Sequence, residues 1–258
     1  MENKHKTVVI GDIHGRSQWK LITYLEKPDR VIFAGDYFDS FNIPAVDQMY
    51  NFNEIVEYKE TSFARDGTLD QHKTEVIMLI GNHDHHYFPE VGHTGTSGYQ
   101  YGAAAAISKV IDDNRKHLQM AYSFDDFLFT HAGVSPVFMD EVFGKDGWDS
   151  SNIVKLLNDK MTYQPRTFNF NGIDSSGDNQ TQTPIWIRPR SLMAANSKHV
   201  KGLKKIYKQV VGHTQQNQID TKGGSTGGRY YFIDTLETSG EYMVITDGEI
   251  TFNTWKNQ

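Results

Sequence analysis

Val8-Val9-Ile10-Gly11-Asp12-Ile13-His14-Gly15 decides the fold. An apolar, β-branched run that stops at glycine reads as a buried strand ending in a tight turn, and here the turn carries a carboxylate and an imidazole. The same grammar returns in Val31-Ile32-Phe33 followed by Gly35-Asp36-Tyr37-Phe38-Asp39, and in Val76-Ile77-Met78-Leu79-Ile80 followed by Gly81-Asn82-His83-Asp84. Between the first two runs, Ser17 stands as an N-cap for a helix through Trp19, Leu21, Ile22 and Leu25 that stops near Pro28. Strand, helix and strand make a βαβ unit with a right-handed crossover. Pro44 to Glu60 has near-helical apolar spacing and closes a second unit at the third strand, and the alanine-rich stretch 102–114 reads as helix.

The second half changes character. Met120 to Phe124 and Phe127 to Thr130, joined by Asp125-Asp126, resemble a β-hairpin that delivers His131-Ala132-Gly133 at its end. Helices are predicted over 136–143 and 150–160, and the polar stretch Thr167 to Thr183 reads as a mobile surface loop. Ile206 to Val211 is a strand leading to Gly212-His213-Thr214, and further strands fall at 229–233, 241–246 and 249–255. These elements describe one α/β (α+β) domain over residues 1–258.

Composition sets the limits. With 258 residues, of which 38% are hydrophobic, the chain can bury a sizeable core. A formal net charge of -6 supplies no basic field for gripping a polyanion, which argues against nucleic acid as a partner. The absence of cysteine excludes disulfides, thiolate ligands and a thiol nucleophile, so any metal must use N and O ligands. The charged start Met1 to Lys6 leads into an apolar run far too short for a signal-peptide core, and no run approaches the roughly 18 apolar residues of a membrane span. The expectation is a cytoplasmic protein without a membrane partner.

The polar groups collected at strand ends suit metal chemistry. Asp12 and His14, two residues apart, can face one cation together, and Asp36 has two oxygens with which to bridge two. Asn82 adds a neutral oxygen, while His131 and His213 add imidazoles from later strands. Such a set fits two divalent ions about 3.5–4 Å apart that share a hydroxide as nucleophile and neutralise charge during phosphoryl transfer. Imidazole and carboxylate without thiolate favour Mn, with Fe, Zn or Co as alternatives, over Ca.

The ordered set Gly-Asp-x-His-Gly, Gly-Asp-x-x-Asp, Gly-Asn-His-Asp, Thr-His-Ala-Gly and Gly-His-Thr resembles the calcineurin-like metallophosphoesterases, and within them the phosphoprotein phosphatase branch of bacteriophage and bacterial enzymes. The resemblance implies a four-layer αββα sandwich with two mixed central sheets flanked by helices. It implies that Asp12, His14 and Asp36 hold one metal while Asp36, Asn82, His131 and His213 hold the other. His83 would be the general acid, oriented by Asp39, and Arg188 a phosphate clamp. The branch usually has arginine where this chain has Ser40, and Arg16 is the candidate for that missing clamp; Asp84 stands where glutamate is common. The implied substrate is a phosphorylated protein or small phosphoester, phosphoserine or phosphothreonine first. The departure at Ser40 keeps hydrolysis of dinucleoside polyphosphates or cyclic nucleotides open.

Other features carry bland readings. Gly92-His93-Thr94 duplicates a motif but follows no apolar strand, so His93 is assigned to a loop. His85 and His86 are expected to face solvent or substrate. The basic run Lys198 to Lys205 reads as a solvated face, Tyr230 to Phe232 as core, and Gly223 to Gly228 as a flexible turn without phosphate-cradling context.

Overall fold

In the computed structural model, which describes residues 5–61, 73–93, 97–173, 179–198, 208–223 and 229–257, the first two runs are strands β1 (Lys6–Ile10) and β2 (Arg30–Phe33) around helix α1 (Gln18–Glu26). Helix α2 (Ala45–Glu60) follows, and β3 (Glu75–Leu79) lies parallel to β2 with Ile32 opposite Ile77. Helix α1 ends on Lys27 in the left-handed region (φ 46°), immediately before Pro28, which cannot continue a helix. Ser17 occupies the N-cap position but its side chain makes no capping hydrogen bond, so the start of α1 rests on packing of Trp19 and Ile22 instead.

After the short helix α3 (Asn82–His85) and helix α4 (Ala104–Asp113), β4 (Leu118–Gln119) completes one edge of the first sheet, whose order is β11-β10-β1-β2-β3-β4. Strands β10 (Glu241–Thr246) and β11 (Glu249–Thr254) join it antiparallel from the far end of the chain. The second sheet runs β5-β6-β7-β9-β8. The expected hairpin is β5 (Ala121–Phe124) and β6 (Phe127–Thr130); β7 (Lys208–Val211) and β9 (Arg229–Phe232) continue parallel to β6, with β8 (Asp220–Gly223) at the edge.

Alternation along the strands sorts the core into layers. Val9, Ile32, Ile77 and Leu79 face Phe127, Phe129, Val210 and Tyr231, filling the space between the two sheets. The opposite face of the first sheet, through Val8, Ile10, Val31 and Phe33, packs on Trp19, Phe52, Ile55 and Ile107 of α1, α2 and α4. On the outer side of the second sheet, Val211, Tyr230 and Phe232 cover Leu192 of α7 (Pro189–Lys198). The result is the expected αββα sandwich with two mixed sheets. Helices α5 (Pro136–Phe143) and α6 (Ile153–Tyr163) stand close to their predicted places, α5 capped by Ser135 Oγ accepting the Val137 N–H at 3.1 Å.

The stretch read as a mobile surface loop is partly anchored, since Phe168, Gln182 and Thr183 are buried. Most of the basic run and all of residues 224–228 lie outside the described residues. No helix among the described residues is long and apolar enough to cross a membrane.

Candidate metal centre

Parallel strands β1, β2 and β3 of one sheet and β6, β7 and β9 of the other end at the same edge of the sandwich. Asp12, Asp36, Asn82, His131 and His213 therefore converge although 201 residues separate the first from the last. The close approach is tight: a Cβ on Gly81 would lie 2.0 Å from Asp36 Oδ1, and one on Gly212 the same distance from Asp12 Oδ1. Only glycine fits at these two positions. His14 (φ 42°), Asp36 (φ 50°), Asp39 (φ 64°) and His213 (φ 65°) all take left-handed backbone, a concentration of strain worth about 1–3 kcal/mol each that the surrounding sheets must hold.

Each candidate ligand histidine has one ring nitrogen against a backbone carbonyl. His14 Nδ1 lies 2.5 Å from Phe38 O, His131 Nδ1 2.8 Å from Ala34 O, and His213 Nε2 3.1 Å from Trp186 O. Carbonyls only accept, so these nitrogens donate, and the other nitrogen is the one with which each ring, when neutral, would take a metal. Those second nitrogens point inward. His131 Nε2 stands 3.0 Å from Asn82 Oδ1 and 3.3 Å from Asp36 Oδ2, His213 Nδ1 is 2.9 Å from Asn82 Oδ1, and His14 Nε2 is 3.9 Å from Asp36 Oδ2. Two donor groups share Asp36, Asp12 with His14 and Asp36, and Asp36 with His131 and His213; beside them stands a third compact group, Asp39 with His83 and His86.

Electrostatics make the same point. Burial opposes ionisation of Asp36, yet His131, His83 and His14 outweigh it and hold the carboxyl well below the usual range. Asp12 is pushed well above its ordinary value by burial and by Asp234, Asp84 up to about 7 by burial and Asp36, and Asp234 up to about 6 for the same two reasons. Carboxyl groups crowded out of water and repelling one another are a standing demand for cations. The donor set fits two divalent ions.

Asp234 was missed by the motif reading. It follows β9 in Tyr231-Phe232-Ile233-Asp234, the same apolar-run-then-acid signature as Asp12 and Asp36, and it stands close enough to Asp12 to push that carboxyl up. Arg16 and Arg188 both line the cleft of about 360 Å³ over the centre, together with His83, Ser40 and Asp234. Arg188 is exposed and donates from Nη1 to His213 O (3.0 Å) and Thr214 Oγ1 (3.1 Å), whereas Arg16 pairs with Glu237 at 2.6 Å.

His83 differs from the three ligand candidates, because its Nδ1 faces a carboxylate, Asp39 Oδ2, at 2.9 Å. Although burial opposes the charged ring, Asp36 and Asp39 push its pKa up to about 9. The expectation for His85 and His86 is corrected, since both are 1% exposed. His85, the last residue of α3, has Nε2 2.8 Å from Pro165 O, and His86 at the C-cap has Nε2 2.8 Å from Asp39 Oδ2. His93 lies in a loop against Tyr99 and Tyr101, away from the centre.

A model of the calcineurin-like phosphoesterase family matches residues 5–232. Among solved structures the chain is similar to a point mutant of a cold-active protein tyrosine phosphatase (16% identity, TM-score 0.60, 99% of this chain and 80% of that one). It is also similar to the cold-active protein-tyrosine phosphatase of a psychrophilic Shewanella sp. (16%, 0.57, 99% and 80%). A protein serine/threonine phosphatase from Saccharomyces cerevisiae follows at 12% identity and TM-score 0.53, covering 96% of this chain and 78% of that one. No curated protein matches. The chain belongs to the calcineurin-like phosphoesterases, a family of metal-dependent phosphoester hydrolases.

Proposed function

We propose that this calcineurin-like phosphoesterase hydrolyses phosphomonoesters, and specifically phosphorylated protein side chains, at the cleft between the ends of its two sheets. The observation that carries the reading is the pair of donor groups sharing Asp36, with a protonatable His83 at their rim and an arginine on the wall. When bound, two divalent ions, manganese first, would lower the proton affinity of water and neutralise phosphoryl oxygens. Asp12, His14 and Asp36 would hold one, and Asp36, Asn82, His131 and His213 the other. His83 would give a proton to the leaving oxygen as the ester bond breaks, and Asp39 would hold its Nδ1–H so that Nε2 faces the cleft.

Arg188 supplies a planar fork for the phosphoryl group, already braced by His213 O and Thr214. Because it is exposed, its loss should cost at the low end of charged hydrogen bonds, about tenfold. Arg188→Ala should therefore raise KM for phosphomonoesters with little change in kcat, and an unchanged KM would move the clamp to Arg16, which must first leave Glu237.

The substrate class is tested with the manganese-loaded protein on phosphoserine, phosphothreonine and phosphotyrosine peptides beside dinucleoside tetraphosphate and a cyclic nucleotide. A kcat/KM at least tenfold higher for phosphopeptides is expected. The reverse order would make the protein a nucleotide hydrolase.

A further inference from the structure

The Asp39 carboxylate is a hub. It is buried, its backbone is left-handed, and three side chains converge on it: His83 Nδ1 at 2.9 Å and His86 Nε2 at 2.8 Å on Oδ2, and the Tyr87 hydroxyl at 2.5 Å on Oδ1. The Tyr87 oxygen in turn accepts the Gln100 N–H at 2.9 Å, so the hydroxyl hydrogen is directed at Asp39 rather than elsewhere. Tyr99 stacks on the Tyr87 ring (4.9 Å between centroids, 13° between planes) and stands edge-on to His86 at 4.9 Å, fixing both rings.

We propose that His86 and Tyr87 are positioning residues for phosphoester cleavage, acting through Asp39 to hold the His83 ring in its proton-donating orientation. This rests on the assignment of His83 as proton donor made above. A carboxylate taken out of water with one imidazole as its sole partner is poorly satisfied and free to turn about its last bond. Filling Oδ1 with a phenol hydrogen bond, and setting the His86 ring at ion-pair distance from Oδ2 without the alignment of a hydrogen bond, removes both problems. The plane of the carboxylate is set from two sides, and the direction in which it pulls His83 Nδ1–H is set with it. In the cleavage step, water oxygen bonds to phosphorus and its protons stay with the phosphate product, the bond to the leaving oxygen breaks, and that oxygen keeps the electron pair and receives the His83 Nε2 proton, leaving a neutral ring. Misorientation of the ring penalises only this proton delivery. It should therefore matter for leaving groups that need a proton and not for those that depart as stable anions.

The test compares a phosphoserine peptide, whose alkoxide leaves poorly, with p-nitrophenyl phosphate, whose phenolate leaves well, using manganese-loaded protein and counting metal by mass spectrometry. Tyr87→Phe keeps the ring and removes only the hydroxyl. It should lower kcat on the phosphoserine peptide about tenfold, change kcat on p-nitrophenyl phosphate less than about twofold, and leave KM and metal content alone. His86→Met should show the same selectivity, and His86→Gln, which restores a polar N–H group beside Asp39, should recover most of the loss. If Tyr87→Phe does not fold, the His86 pair decides alone. Equal slowing on both substrates, or none on either, overturns the proposal. His83→Asn serves as the benchmark: if it shows the selectivity and the Tyr87 and His86 variants do not, positioning fails while the proton donor stands. If His83→Asn itself lacks the selectivity, the proton-donor assignment falls and takes the proposal with it.

Discussion

An Asp36→Ala variant should purify without either metal ion and hydrolyse no phosphomonoester above background. Asp36 is the one carboxylate common to both donor groups, with Oδ2 3.3 Å from His131 Nε2 and 3.9 Å from His14 Nε2. Removing it leaves Asp12 and His14 on one side and His131, His213 and Asn82 on the other, with no charged oxygen between them. Lewis-acid stabilisation of phosphoryl transfer is worth several kcal/mol, so its loss corresponds to a rate decrease on the order of 10³-fold or more. Metal analysis and turnover on a phosphopeptide check both halves of the expectation, and retention of two ions would exclude Asp36 as the bridge. Asn82→Ala offers the contrast, because Asn82 Oδ1 faces His131 and His213 of one donor group and its loss should weaken one ion alone.

How much of this was legible in the sequence follows from where the information sits. Strands β1, β2, β3 and β6 are central and buried on both faces, so they read as unbroken apolar runs, and each ends in a polar turn that announces itself. The candidate ligands were visible for that reason. Strand β8, Asp220-Thr221-Lys222-Gly223, was not, since an edge strand needs no apolar face and carries a lysine that discourages further pairing. Nor did the sequence reveal that β10 inserts beside β1, a pairing of Val8 with Val244 that only the closed sheet determines. His86 looked like a surface residue because polarity is the only signal a lone histidine gives; its burial depends on Asp39, Tyr87 and Tyr99 arriving from other segments. Asp234 lacked a glycine before it, which hid a strand-end acid that geometry brings to Asp12.

His83→Asn should keep its metals and lose turnover in proportion to how much help the leaving group needs. The ring lies outside the two donor groups that share Asp36, so metal content is expected to match the unaltered protein. A positioned general acid contributes about 10²–10⁴-fold, which sets the expected fall in kcat on a phosphoserine peptide, while an activated aryl phosphate should slow far less. The pH dependence has a definite sign. Burial disfavours the charged ring, but Asp36 and Asp39 overcome it and raise its pKa to about 9, so the proton is in place at neutral pH and is lost only as pH climbs through that value. Two bound cations would oppose those carboxylates and bring the loss to lower pH. The alkaline limb of kcat should therefore fall at or below pH 9 in the unaltered protein and disappear in His83→Asn. Equal slowing of both substrate types, or an alkaline limb that survives the substitution, would remove His83 from the chemistry and leave the metals to act without a side-chain acid.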